Sequence, residues 1–160
     1  MSETIVRVAD AQAGAEGDVL VTLGLGSCVA IILYDAAARV GGMAHILLPS
    51  LTLSRDQSNP ARFPETAVPH LVRMMGGRGA SPERLRARLV GGASMFANLA
   101  SPSVAQMGER NVTASKDALK VARIPLLGED TGKDYGRSVY FHVTDGRVDV
   151  RSVAHGNRKL

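Results

Sequence analysis

The stretch that decides the fold begins with TLGLGSC (residues 22–28), a glycine-rich segment that ends in the one cysteine of the chain. The apolar run VAIILY (residues 29–34) follows it directly. A polar break at Asp35 separates this run from a second apolar run, VGGMAHILL (residues 40–48). Two apolar runs on either side of a short polar break predict two antiparallel strands joined as a hairpin. Because both runs are apolar throughout, we expect the hairpin to be covered on both faces.

The register of this hairpin decides whether Cys28 and His45 can meet. A short loop centred between Ala36 and Ala37 places Cys28 directly opposite His45, with their Cβ atoms roughly 4.5–5.5 Å apart on one face of the sheet. A one-residue change in the loop would move the two side chains to opposite faces. In the first register a thiol lies within reach of an imidazole, which is the minimum arrangement for a base-activated cysteine nucleophile.

Three further residues near the cysteine are candidates for supporting roles. The hydroxyl of Thr22, on the neighbouring strand, is a candidate for fixing the tautomer of the imidazole. Gly26, through its backbone N–H, and Ser27, through its N–H or its hydroxyl, are candidates for stabilising an oxyanion. Purely structural interpretations stay open: Cys28 and His45 as core residues, Thr22 as an ordinary strand threonine, and Ser27 as a turn residue.

Composition restricts the class of protein. The 160 residues, of which 45% are hydrophobic, suit a single domain (residues 1–160) that buries about 68–70% of its unfolded surface. The net charge of +4, with both signs mixed and no basic tract between aromatics, does not favour nucleic acid binding. One cysteine excludes an internal disulfide framework and a multi-cysteine zinc site. We see no signal peptide and no apolar run of ~18 residues, so we expect a cytoplasmic protein without membrane insertion. The spacing of His70, His142 and His155 does not indicate metal ligands, and we expect neither a metal nor a cofactor.

Outward from the hairpin, periodicity predicts six to eight strands and two helices. Further strands are expected over residues 4–8, 18–23, 85–90, 124–127, 138–143 and 147–153, and helices over residues 64–75 and 109–123. Residues 9–17, residues 128–137 and the Ser- and Asn-rich segment after Ala93 are predicted loops, residues 155–160 a frayed tail, and Pro69 a kink or a late start of the first helix. The predicted class is a mixed α/β fold: a largely antiparallel β-sheet sandwich with two main helices packed on it, in three layers.

Segments over most of the chain resemble the CheD family of chemoreceptor glutamine deamidases. They are LGLGSCVAIILYD, VGGMAHILLP, RLVGGA (residues 88–93), GERNV (residues 108–112), GEDTG (residues 128–132) and GR (residues 136–137), in the order that the family has them. The family usually carries a Gly-Gly pair where this sequence has Gly132-Lys133.

The resemblance implies hydrolysis of the side-chain amide of selected glutamines in chemoreceptors, giving glutamate and ammonia. By matched position it makes Cys28 the nucleophile, His45 the base and Thr22 the residue that orients the base, in an α/β sandwich related to bacterial toxin deamidases. The implied partners are the cytoplasmic helical domain of a methyl-accepting chemotaxis receptor and, in many members, a CheC-type phosphatase. Two alternatives stay open: a receptor glutamyl methylesterase with the same nucleophile, and a non-catalytic regulator that binds a CheC-type phosphatase.

Overall fold

The computed structural model describes residues 2–95 and 106–160, which form ten strands and two α-helices. The strands are β1 (Ser2–Ile5), β2 (Ala11–Gly14), β3 (Asp18–Leu25), β4 (Val29–Asp35), β5 (Val40–Ile46), β6 (Arg86–Gly91), β7 (Leu126–Thr131), β8 (Arg137–His142), β9 (Arg147–Ser152) and β10 (Gly156–Lys159). The helices are α1 (Pro64–Gly76) and α2 (Met107–Val121). Ten residues of the predicted Ser- and Asn-rich loop, 96–105, lie outside the described residues.

The described strands form two sheets of five strands each. The outer sheet has the order β1-β3-β8-β9-β10, and the central sheet has the order β2-β5-β4-β6-β7. The pairs β1–β3 and β6–β7 are parallel and the other pairs within these sheets are antiparallel. Helix α1 packs on β5 and β2, and α2 packs on β4 and β6, so both helices cover the central sheet. This arrangement confirms the predicted fold class.

The central hairpin of β4 and β5 is buried along its whole length, as predicted. Alternate residues of β4 enter two apolar clusters: Ile31 and Leu33 pack on the helix side, and Ala30 and Ile32 pack against the outer sheet. Since neither face of this hairpin meets water, its position at the centre of the molecule follows directly from its two uninterrupted apolar runs.

The predicted register of the hairpin is wrong by two residues. Its loop comprises residues 36–39, so that Val29 pairs with Ile46 and Ala30 pairs with His45. The carboxylate of Asp35 accepts a hydrogen bond from the Ala38 N–H at 3.1 Å, and this bond stabilises a longer loop than the sequence pattern suggested. A shift of two residues keeps every side chain on its original face, because side chains alternate with a period of two.

Several predicted boundaries differ from the observed elements. Strand β2 lies within a predicted loop, β7 continues to Thr131 through a predicted turn, and β10 lies in the predicted frayed tail. Strand β10 is exposed throughout and the last four residues of β7 are GEDT, so neither shows the alternation that identifies a half-buried strand. The hairpin of β8 and β9 around Asp145-Gly146 is as predicted.

The two helices occupy nearly the predicted ranges. Helix α1 starts at Pro64 and continues through Pro69, so the proposed late start is wrong. Helix α2 begins at Met107, two residues before the predicted Glu109. Within residues 2–95 and 106–160, no helix is both long enough and apolar enough to cross a membrane.

Gly132 and Lys133 form a turn with an unusual backbone conformation. Gly132 and Lys133 have φ values of 77° and 63°, which glycine adopts more easily than lysine does. The Lys133 carbonyl accepts a hydrogen bond from the Ser94 N–H at 2.9 Å. Lys133 therefore occupies a backbone conformation in which glycine would be less strained.

Candidate active site

The cysteine lies where the chain crosses from the outer sheet to the central sheet. Residues 26–28 connect β3 to β4, so the cysteine stands at the entrance of the central hairpin. A bulge between Thr22 and Leu25, with Gly24 at a φ of 65°, bends the chain just before this crossing. Cys28 is half-buried, whereas Thr22 and His45 are almost completely buried.

Thr22 and His45 meet across the interface between the two sheets. The Thr22 Oγ1 lies 2.8 Å from the His45 Nδ1 and donates a hydrogen bond to the Val6 carbonyl at 2.6 Å. Because β3 pairs with β1 and β8, Thr22 is on the opposite sheet and not on a strand adjacent to His45, which corrects the predicted placement.

The hydrogen bonds of Thr22 assign the tautomer of the imidazole. A hydroxyl has one proton, and Thr22 gives it to Val6. The Thr22 oxygen therefore accepts a hydrogen bond from the His45 Nδ1–H. In this tautomer the His45 Nε2 has a free lone pair, which is the state that a general base requires.

Cys28 and His45 share one face of the central sheet. His45 lies directly opposite Ala30, and Cys28 precedes Ala30 by two residues, so all three side chains belong to the face turned towards the outer sheet. Between these two described residues there is no hydrogen bond from thiol to ring. Cys28 and His45 therefore lie at the same interface in diagonal positions. They are not directly opposite each other, contrary to what the sequence predicted.

Burial acts on both ionisable groups in the direction that favours the neutral form. It raises the pKa of the Cys28 thiol above its ordinary value of 9.0. It also lowers the pKa of His45 below its ordinary value of 6.5, against a smaller opposite effect of the Val6 carbonyl. The resting site therefore holds a neutral thiol and a neutral imidazole at neutral pH.

The backbone around the cysteine is held by its carbonyl groups. Each carbonyl of residues 26–28 accepts one hydrogen bond: Gly26 from the Ala93 N–H at 2.8 Å, Ser27 from the Asn111 Nδ2 at 2.9 Å, and Cys28 from the Gly92 N–H at 2.8 Å. The N–H groups of the same three residues donate to none of the residues that the structure describes. They are the backbone donors nearest to the thiol and are candidates for binding an anionic oxygen.

Glycines allow the neighbouring segments to approach this backbone. A Cβ at Gly91, whose φ is 112°, would collide with the Cys28 carbonyl. A Cβ at Gly108 would collide with the carbonyls of Gly92 and Ala93. Close approach without a side chain thus joins the segment after β6, the start of α2 and the cysteine segment into one packed unit.

Asn111 belongs to this site and was missed by the sequence analysis. It is fully buried in the first turns of α2, and besides Ser27 its Nδ2 also contacts the Leu47 carbonyl at 3.2 Å. The buried residues of α2 are Gly108, Asn111, Ser115 and Leu119. The helical spacing of Asn111 with Ser115 and Leu119 was the available signal, because an amide on a buried stripe needs partners.

Comparison with protein families gives one match over most of the chain. A family model described as "CheD chemotactic sensory transduction" matches residues 47–152. The matched range begins two residues after His45, so Thr22, Cys28 and His45 all lie before it.

Full-length relatives extend this similarity over the whole site. A protein of Caldanaerobacter subterraneus subsp. tengcongensis is 44% identical over 158 residues, covering 98% of this chain and 98% of its own. A protein of Lachnoclostridium phytofermentans is 40% identical over 161 residues, covering 100% of both chains. Each is named "Probable chemoreceptor glutamine deamidase CheD".

One solved structure shows a distant likeness. It is a Neisseria meningitidis protein of the DUF152 family, with 10% sequence identity and a TM-score of 0.49. The alignment covers 84% of this chain and 65% of that one.

Proposed function

The chain belongs to the CheD family, and from this premise we propose that residues 1–160 form a single deamidase domain. Its reaction is hydrolysis of glutamine side-chain amides, in the cytoplasmic helical domain of methyl-accepting chemotaxis receptors, to glutamate and ammonia. The observation that carries the proposal is the buried pair of Thr22 and His45, which leaves the His45 Nε2 free on the face that it shares with the Cys28 thiol. The proposed second partner, a CheC-type phosphatase, follows from the family resemblance.

The mechanism uses Cys28 as nucleophile and His45 as base. The Cys28 Sγ attacks the glutamine Cδ while the His45 Nε2 takes the thiol proton. The amide oxygen becomes an oxyanion, and the backbone N–H groups of residues 26–28 stabilise it by about 2.7–4 kcal/mol per donor. Protonated His45 then gives its proton to the leaving nitrogen, so that ammonia departs and a thioester remains. Water, deprotonated by His45, attacks the thioester, releases glutamate and restores the thiol.

An assay on purified chain and a receptor cytoplasmic fragment tests this function. Ammonia release, together with the mass increase that accompanies conversion of an amide to an acid, identifies deamidation. Methanol release from a methylated receptor identifies the methylesterase alternative, which would use the same tetrahedral intermediate. If neither ammonia nor methanol is released from an accessible receptor, only the regulatory alternative remains.

The pH dependence of the reaction should reflect a neutral thiol and a neutral imidazole. We expect kcat/KM to be level around neutral pH and to decrease below pH 6.5, because the base must be unprotonated and burial lowers the pKa of His45 below that value. The ultraviolet absorbance of thiolate, measured as wild type minus Cys28→Ser, should be absent at neutral pH. A thiolate signal there would show a preformed ion pair and contradict the proton transfer described above.

The hydroxyl of Thr22 should matter through the orientation of His45. Thr22→Val keeps the shape of the side chain but removes the acceptor for the His45 Nδ1–H, so we expect kcat to decrease about 10- to 100-fold. Thr22→Ser keeps the hydroxyl and is the matched control, with kcat close to wild type. Equal activity of the two variants would remove Thr22 from the mechanism.

A further inference from the structure

We propose that Asn111 is a positioning residue for the deamidation: its amide fixes the peptide between Ser27 and Cys28 and thereby aims the Cys28 N–H at the developing oxyanion. This inference rests on the function proposed above. The amide of Asn111 donates to the Ser27 and Leu47 backbone carbonyls and makes no hydrogen bond to the Cys28 thiol or the His45 ring.

The side chain of Asn111 joins the two segments that carry the nucleophile and the base. Its Nδ2 lies 2.9 Å from the Ser27 carbonyl and 3.2 Å from the Leu47 carbonyl. Ser27 directly precedes Cys28, and Leu47 follows His45 by two residues. Because two carbonyl oxygens face the same terminal atom, that atom must be the NH₂ group, and both of its protons are used.

The geometry of the peptide bond converts this anchor into a direction for the Cys28 N–H. In a trans peptide the C=O of one residue and the N–H of the next point in opposite directions within one plane. A hydrogen bond from Asn111 to the Ser27 carbonyl therefore turns the Cys28 N–H away from α2. In the described residues, the carbonyls on either side are held by backbone donors, Ala93 for Gly26 and Gly92 for Cys28. Of the three hydrogen bonds that hold these carbonyls, only the one from Asn111 comes from a side chain, so only this one can be removed by substitution.

The other end of the amide indicates that stability alone does not explain this residue. The Asn111 Oδ1 is buried and has no hydrogen-bond partner among the described residues. A buried, unpartnered carbonyl oxygen is unfavourable for folding, and such groups concentrate where a structure serves something besides stability. The amide contributes to the site through the two hydrogen bonds that it donates to the Ser27 and Leu47 carbonyls.

Asn111→Asp tests the proposal with little change in shape. An ionised carboxylate presents oxygen to the Ser27 and Leu47 carbonyls and repels both, whereas the protonated acid can donate one hydrogen bond. At neutral pH we expect kcat to decrease by about 10²-fold, comparable to the loss of one oxyanion donor, with KM little changed. On acidification the activity of Asn111→Asp relative to wild type should recover, because the protonated acid regains one donated hydrogen bond, whereas protonation of His45 lowers the activity of both proteins alike.

Ser115→Ala is the matched control. Ser115 is buried on the same side of α2, and its Oγ donates a hydrogen bond to the backbone carbonyl of Asn111 at 2.7 Å. Its removal costs a buried hydrogen bond of the helix without altering the contact to Ser27. Lower thermal stability with wild-type kcat is the expected result. A decrease in kcat as large as that of Asn111→Asp would show a merely structural role and overturn the proposal.

Asn111→Ala covers the case in which the carboxylate variant does not fold. It removes both donors without adding charge, so kcat should decrease with no recovery at lower pH, and an unchanged kcat overturns the proposal. The two proposals fail in different ways. Wild type that releases no ammonia refutes the function itself, whereas active wild type together with a fully active, folded Asn111→Asp refutes only the role of Asn111.

Discussion

Cys28→Ala is expected to release no measurable ammonia from a receptor fragment that wild type deamidates. Removal of the nucleophile from a site whose parts act together costs on the order of 10⁴-fold or more in kcat. No second thiol can replace it, since the chain has one cysteine. The measurement is single-turnover ammonia release, with the glutamine-to-glutamate conversion followed by mass spectrometry.

The fold should survive this substitution. Cys28 is half-buried and lies before β4, so loss of its sulfur removes a small contact with the cluster between the sheets. We expect the free energy of unfolding to change by about 1 kcal/mol or less. Cys28→Ser, which retains a polar group of similar size, serves as the control for packing. Wild-type ammonia release by either variant would refute thiol catalysis.

His45→Asn is expected to give the second largest loss. The asparagine Nδ2 can take the place of the imidazole Nδ1 and donate to Thr22, while the Nε2 base disappears. Loss of a general base costs typically 10²–10⁴-fold in rate. The remaining activity should increase steadily with pH, because the thiol must then ionise without help and burial raises its pKa. The measurement is kcat/KM against pH for the variant and for wild type.

His45→Gln provides the comparison for His45→Asn. Glutamine reaches towards the former Nε2 but cannot accept and return a proton at neutral pH, so both variants should be nearly inactive although they fill the cavity differently. Since His45 is almost completely buried, circular dichroism and thermal unfolding must accompany the kinetics. A level pH profile in His45→Asn, at a rate close to wild type, would assign the base to another residue.

The hairpin could be predicted from the sequence, but its pairing could not. Two apolar runs sufficed to place β4 and β5 at the centre of the sheet with both faces covered. Loop length was not encoded in the apolar pattern, because the loop is fixed by a hydrogen bond from Ala38 to Asp35 and by Arg39 at a φ of 53°. The side of the sheet was nevertheless predicted correctly for His45, since the error was an even number of residues.

Contacts between residues of different layers could not be predicted from the sequence. Thr22 was a candidate on chemical grounds, yet its meeting with His45 depends on how two separate sheets pack, which no local spacing determines. Asn111 lies far from Cys28 along the chain, and only the packing of α2 on β4 brings its amide to the Ser27 carbonyl. Edge strands were missed for a different reason: β10 is exposed on every residue and has no apolar periodicity.

The division of the site between two sheets has a consequence for when the chain becomes reactive. Thr22 is part of the outer sheet, His45 is part of the central sheet, and residues 26–28 span the gap. A nascent or heat-loosened chain in which the layers have not yet joined has a thiol but no oriented base beside it. Under the proposed mechanism, amide hydrolysis therefore requires that the two sheets have docked, and we expect a chain whose layers are still separate to be inactive.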